Sequence, residues 1–226
     1  MEYFVSGIDT GVGKTIASAI LCEALKADYW KPVQSGDLHQ SDSITVRSLV
    51  SSEVRIWPES YRLNTPASPH HSANLDGTRI ELGNMVIPHS EKPLVIEGAG
   101  GLLVPLNEEQ TIADLLQVWD VPVILVSKNY LGSINHTLLS IEVLQQRGIP
   151  LAGILFNGTP TPSTESVIAS YSGIPVLGHI PEFSRLDGPT VQNQARAMRA
   201  QILEGLEMRH PIRPEIEKRV RVPLVS

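Results

Sequence analysis

Six short apolar runs punctuate the chain: Tyr3–Val5, Tyr29–Val33, Leu94–Ile96, Val121–Val126, Leu151–Phe156 and Val176–Ile180. Each has the length of a strand. Between most of them apolar residues recur at helical spacing, over Ile16–Lys26, Asp42–Ser51, Ile80–Val86, Ile112–Trp119, Ile134–Arg147, Thr164–Tyr171 and Val191–Leu206. Strands alternating with helices predict an α/β fold, a doubly wound and mainly parallel sheet with helices on both faces. Ligands of such sheets sit beyond the C-terminal strand ends, where the connecting loops gather.

Two stretches break the alternation. Trp57–Asn74 carries Pro58, Pro66, Pro69 and the pair His70-His71, and reads as an irregular excursion over the surface or the site mouth. From residue 210 onward, Pro211, Pro214 and Pro223 break any long helix, while Lys218, Arg219 and Arg221 make the segment basic. Residues 1–209 are therefore expected to form a single domain. Residues 210–226 are expected to be a C-terminal tail, either flexible or packed on a partner.

Composition narrows the function classes. The chain has 226 residues, 42% of them hydrophobic and 19% charged, enough for the full core of one α/β domain. A net charge of -6, with neither a basic stripe nor aromatic-basic interleaving, argues against a nucleic-acid partner. No apolar run reaches membrane-spanning length and no secretory leader is evident, so a cytoplasmic enzyme without a membrane partner is expected. Cys22 is the single cysteine, which excludes an internal disulfide; it falls in a helical apolar pattern as a small buried residue.

The candidate chemistry follows the strand ends. After Tyr3–Val5 comes Gly7-Ile8-Asp9-Thr10-Gly11-Val12-Gly13-Lys14-Thr15, then a helical segment. Strand, glycine loop and helix together make a phosphate cradle of the P-loop NTPase type: backbone N–H groups and a helix N-terminus face the anion. Lys14 would reach the outer phosphates and the Thr15 hydroxyl would ligate Mg²⁺. The loop is one residue longer than the common template, with five residues between Gly7 and Gly13.

Lys31-Pro32-Val33-Gln34-Ser35-Gly36 follows the second run, and Lys31 reads equally as a surface lysine or a stabiliser of phosphoryl charge. Asp42, in Ser41-Asp42-Ser43, reads as an N-cap or as a carboxylate for Mg²⁺. Leu94-Val95-Ile96-Glu97 then runs into Gly98-Ala99-Gly100-Gly101. An acid inside an apolar strand is costly without a charge partner, and Mg²⁺ would supply one. Leu131-Gly132-Ser133-Ile134-Asn135-His136 is either an anion-binding helix N-terminus or a plain helix start. Asn157-Gly158 closes a further strand and would contact a purine edge or simply turn. The histidines show no metal-binding spacing.

Taken together, these motifs resemble the dethiobiotin synthetase family from Tyr3 to about Asn193. They are the elongated loop Gly7–Thr15, the Lys31–Gly36 stretch, Ser68-Pro69-His70, Glu97–Gly101 and Leu131–His136. The resemblance implies a homodimer that forms the ureido ring of dethiobiotin from 7,8-diaminopelargonic acid, CO₂ and ATP with Mg²⁺. It implies that Lys14 and Lys31 stabilise the phosphoryl groups and the carbamate. Thr15, Asp42 and Glu97 would hold Mg²⁺, and Thr10, Gly11, Val12 and Gly13 would line the phosphates beside Gly98, Ala99 and Gly100. Ser35 would contact the diamine or its carbamate. Gly132, Ile134 and Asn135 would take the substrate carboxylate across the dimer interface, making the active sites composite. Asn157, Gly158, Pro181, Glu182 and Phe183 would frame the adenine. Many relatives carry threonine in place of Ile8 and glutamate in place of Gly11, so Gly11 offers no side chain to the substrate.

Two other readings share the phosphate loop. A cobyrinic-acid-synthase-like amidoligase needs a nucleophilic cysteine in a further domain, and this chain has only Cys22. A partitioning-type ATPase switch carries an extra lysine early in its loop, and Gly7–Gly11 has none.

Overall fold

The computed structural model describes residues 1–208, so the expected tail and the boundary before it lie outside the described residues. β1 (Glu2–Gly7) leads through the glycine loop into α1 (Lys14–Leu25). β2 (Asp28–Trp30), β3 (Val33–Ser35), α2 (Asp42–Leu49), β4 (Ile56–Trp57), β5 (Tyr61–Leu63) and α3 (Pro69–Leu75) follow. The second half is regular: β6 (Leu94–Glu97), α4 (Ile112–Trp119), β7 (Val123–Lys128), α5 (Ser133–Gln146), β8 (Leu151–Asn157), α6 (Pro162–Ser172), β9 (Val176–Ile180) and α7 (Gly188–Glu207).

Seven strands form one parallel sheet in the order β4–β2–β6–β1–β7–β8–β9. This is the doubly wound architecture expected from the sequence. Parallel strands joined by helices are covered on both faces, which is why β7 and β8 read as near-continuous apolar runs. One face packs Val5, Tyr29, Val95 and Val126 against α1 and α7, whose apolar positions include Ile20, Leu21, Val191 and Ile202. The other packs Phe4, Trp30 and Ile96 against Leu115 and Leu116 of α4, and Leu125 and Phe156 with Ile141 of α5. Each such fully buried side chain contributes about 1.5–3 kcal/mol.

Helix starts follow local capping chemistry. Thr111 and Asp114 form a reciprocal capping box at α4, and the Asp187 carboxylate accepts from Thr190 N at 3.0 Å at the start of α7. No helix among the described residues is long and apolar enough to cross a membrane.

The irregular first half corrects three expectations. The run Tyr29–Val33 is not one strand. Pro32 has no N–H to offer a ladder, and the chain leaves the main sheet there; β3 pairs with β5 in a separate two-stranded parallel sheet. Within Trp57–Asn74 the structure forms β5 and α3, the latter starting at Pro69, a residue suited to a first helical turn. Ile80–Val86 is not a helix; only Leu82–Asn84 forms a short 3₁₀ turn, with Ile80 and Met85 buried.

Sheet order positions the site. β1 lies centrally, between β6 and β7, and Val5 stands in register with Glu97. The chain fills one half of the sheet after β1 and the other half later, so the C-terminal end of β1 opens onto the crevice where such folds bind ligands.

Candidate active site

The glycine loop is shaped by two residues in left-handed backbone, Gly11 (φ 71°) and Gly13 (φ 94°). Gly13 immediately precedes α1, and a Cβ there would also run into the Asn157 amide. That amide donates to the Val12 carbonyl at 2.7 Å, fastening the loop to the end of β8. Val12 is buried in the core cluster and does not line the cavity described below. The first-turn N–H groups of α1 have no upstream helical carbonyl to bond, and Lys14 and Thr15 of that turn line the cavity described below. Lys14 curls over the loop, its Nζ donating to the Asp9 carbonyl at 3.0 Å.

Facing this loop is a compact charge cluster. Lys31, buried at the end of β2, pairs with Asp42 and with Glu97 Oε1 at 3.2 Å. Thr15 Oγ1 reaches Asp42 Oδ1 at 2.8 Å and Glu97 Oε1 at 3.0 Å. Tyr29 donates from behind to Glu97 Oε2 at 2.9 Å. Burial alone would depress the Lys31 ammonium, but Glu97 and Asp42 outweigh it and hold its pKa above the usual lysine value. Burial raises the Asp42 carboxyl, yet Lys31 and Thr15 bring it below the usual value. Lys14 is pushed down, chiefly by burial, with Lys31 adding to the effect and Glu97 opposing it.

Asp42 is not the cap of α2. Ser41 is: its hydroxyl accepts from Ile44 N at 3.3 Å. That leaves the Asp42 carboxylate free for Thr15 and Lys31. Gln34 fixes the approach, accepting from Asp42 N at 3.2 Å and donating to the Gly36 carbonyl at 3.0 Å.

A cavity of about 510 Å³ lies between loop and cluster. Thr10, Gly11, Gly13, Lys14, Thr15, Lys31, Ser35, Asp42, Glu97, Ala99 and Gly100 all line it. Gly98 does not; it faces the Phe4 ring, where a Cβ would lie 2.7 Å away. Ser35 presents a buried hydroxyl that has no hydrogen-bond partner among the described residues.

The remaining expected residues lie elsewhere. Gly158 N bonds the Ile180 carbonyl, bringing Asn157-Gly158 beside Pro181, Glu182 and Phe183; Glu182 accepts from Thr159 at 3.2 Å. This group touches the glycine loop through Asn157 and the Val12 carbonyl, and none of it lines the cavity beside the charge cluster. Gly132, Ile134 and Asn135 start α5 and are exposed, outside the cavity. Tyr29, Gln34, Asp37, the stretch Pro66–Pro69 and Val104 also belong to the site. Of these, the sequence motifs had included Gln34, within Lys31–Gly36, and Ser68-Pro69, and Pro66 lay in the Trp57–Asn74 stretch expected at the surface or the site mouth.

The donor set suits Mg²⁺: hydroxyl and carboxylate oxygens, few in number, beside a phosphate cradle. Among the described residues no group of three or more His, Cys, Asp or Glu could hold a metal alone. The remaining positions around Mg²⁺ would thus fall to Thr15, phosphate oxygens and water.

A central β1, a glycine loop into α1 and an acid at the end of the neighbouring strand define a P-loop nucleotide-binding protein. Solved structures agree on the fold alone. The putative plasmid partition protein from Borrelia burgdorferi bound to AMPPNP is 13% identical, with a TM-score of 0.56, covering 91% of this chain and 98% of that one. The MinC:MinD cell division protein complex of Aquifex aeolicus gives 13% and 0.51, covering 93% and 97%. A family model described as an AAA domain matches residues 1–190. The ATP-dependent dethiobiotin synthetase of Christiangramia forsetii is 51% identical over 90% of this chain and 98% of the relative. That of Agrobacterium fabrum is 46% identical over 92% and 98%. The chain belongs to the ATP-dependent dethiobiotin synthetase family.

Proposed function

We propose that this chain, an ATP-dependent ligase of biotin biosynthesis by its family, forms dethiobiotin from 7,8-diaminopelargonic acid and CO₂, releasing ADP and phosphate. One amine takes up CO₂ as a carbamate, losing a proton. The γ-phosphoryl of ATP passes to a carbamate oxygen, giving a mixed anhydride. The second amine attacks the carbonyl, the ureido ring closes and phosphate leaves. No covalent enzyme intermediate is needed, so catalysis is positioning and charge neutralisation.

The observation that carries this reading is the meeting, in one cavity, of the glycine loop with Lys31, Asp42, Glu97 and the unpartnered Ser35 hydroxyl. In the proposal Thr10 to Gly13 offer N–H groups to the phosphates, beside Ala99 and Gly100. Lys14 leaves the Asp9 carbonyl for the outer phosphates, and Lys31 holds the carbamate and the transferring phosphoryl group. Ser35 donates to the carbamate or the diamine. Thr15, Asp42 and Glu97 would hold Mg²⁺, which when bound neutralises phosphate charge. Asn157, Gly158 and Pro181–Phe183 frame the adenine.

The reading takes residues 1–209 as one domain acting in the cytoplasm as a homodimer. Exposed Leu131, Ile134, Leu139 and Leu103 give that surface an apolar character suited to a second copy. Gly132, Ile134 and Asn135 of that copy would then receive the substrate carboxylate.

The test is ATP turnover with and without the diamine, at saturating bicarbonate and Mg²⁺. ADP formation should require the diamine and match dethiobiotin produced. Equal ATP hydrolysis in its absence would replace the synthetase reading with that of a nucleotide switch.

A further inference from the structure

We infer that Tyr29 is a positioning residue for this reaction, its phenol holding the Glu97 carboxylate from inside the core so that one oxygen alone faces the metal site. The inference rests on the metal-directed role proposed for Glu97.

The argument begins with register. Tyr29 of β2 stands beside Val95 of β6, and Glu97 is two residues further along the same face. That offset is about 6–7 Å, within reach of an aromatic side chain. The Tyr29 ring is 0% exposed, packed in the core under α1. Phenylalanine would fill that space without a polar atom to bury, and an unpartnered hydroxyl there is costly. Among the described residues the one hydrogen bond of the Tyr29 hydroxyl is its donation to Glu97 Oε2 at 2.9 Å.

Glu97 is thereby made asymmetric. Oε2 is held from the core by Tyr29, while Oε1 alone meets Thr15 at 3.0 Å and Lys31 at 3.2 Å. The terminal torsion of a glutamate is soft and roughly two-fold, so a carboxylate without that anchor rotates easily. With it, Oε1 stays aimed beside Thr15 even when Lys31 turns from Glu97 toward substrate. Glu97 is 1% exposed and the Tyr29 ring 0%, so the side of the carboxylate that meets the phenol is closed to bulk water.

Tyr29→Phe removes the hydroxyl and keeps the ring. Mn²⁺, read by electron paramagnetic resonance with a non-hydrolysable ATP analogue present, reports the metal site without turnover. The Mn²⁺ Kd should rise about tenfold, the scale of one lost hydrogen bond to a charged group. In a Glu97→Gln background the same substitution should add less than about twofold, because its effect passes through that carboxylate. Val95→Ala, a cavity in the adjoining core, should lower Tm while moving the Mn²⁺ Kd less than about twofold. If Glu97→Gln weakens Mn²⁺ and Tyr29→Phe does not, the Glu97 assignment stands and the inference is overturned. If Glu97→Gln leaves Mn²⁺ binding unchanged, the metal reading of Glu97 fails and takes the inference with it. Should Tyr29→Phe not fold, 3-fluorotyrosine at position 29 keeps the shape and strengthens the donor. An unchanged Mn²⁺ Kd then overturns the inference.

Discussion

The two site lysines are set apart by their neighbours. Lys31 spans two carboxylates, whereas Lys14 rests on a carbonyl and is free to move to phosphate. Lys14→Ala should lower kcat by about two to three orders of magnitude, the loss of one preorganised charge at the transition state, with Tm unchanged. Steady-state kinetics beside thermal melting checks this, and near wild-type kcat would remove Lys14 from the phosphates. Glu97→Gln and Asp42→Asn should each move the Mg²⁺ activation curve to higher concentration; unchanged curves for both would remove them from the metal site. Lys31→Met leaves two carboxylates facing each other, and metal-free enzyme should lose about 3–5 kcal/mol in urea unfolding. Mg²⁺ should restore part of that loss. The sequence showed Lys31 and Glu97 as polar residues ending apolar runs, which is what made them candidates. It could not show that they pair, being 66 residues apart, nor that Tyr29 serves Glu97. A tyrosine in an apolar run looks like core, and the ring is core; only its hydroxyl has another use.

Elements were legible where local and tertiary preferences agree. Ile112–Trp119 is a helix at the expected residues because Thr111 and Asp114 cap it and Ile112, Leu115 and Leu116 face the core. Asp114 also accepts from Arg147 at 2.7 Å, tying α4 to the end of α5. Burial raises its carboxyl, but Thr111 and Arg147 outweigh that and hold its pKa below the usual aspartate value. The folded pKa is the lower one, so the stabilisation is fully present above the unfolded value of about 3.9 and is lost as pH falls from there through the folded pKa. Asp114→Ala should therefore cost about 0.5–2 kcal/mol near neutral pH and progressively less below about pH 4, measured by urea unfolding across pH. Elements were illegible where tertiary contacts decide. α3 is short and hidden among prolines, and β3 and β5 exist only through each other, across 28 residues from Val33 to Tyr61. Ile80–Val86 carries helical spacing, yet Asn107 donates to the Ile80 carbonyl at 2.8 Å, taking an acceptor a helix there would use, and only Leu82–Asn84 turns, as a 3₁₀ helix.

At the scale of the whole molecule, the substrate poses a geometric problem. It carries the reacting diamine at one end and a carboxylate at the other. In the proposed reaction the diamine would lie with Lys14, Lys31 and Ser35, which all line one cavity. Gly132, Ile134 and Asn135, with helix N–H groups suited to a carboxylate, line no part of it. A second groove of about 460 Å³, lined by Ile8, Asp9, His136 and the exposed Leu103 and Leu139, shares Thr10 and Val104 with the cavity. In the composite-site proposal, a two-fold dimer closes on that surface with the start of one copy's α5 at the other copy's cavity. Each site would then combine Lys14 and Lys31 of one chain with Gly132–Asn135 of its mate. Two inactive variants decide it: Lys31→Ala, and Asn135→Trp to block the carboxylate pocket. A mixed dimer of the two holds one site with both lesions and one with neither. Subunit exchange should therefore restore activity to about half that of wild type per mixed dimer. If mass spectrometry confirms exchange and activity stays absent, each site is built within a single chain.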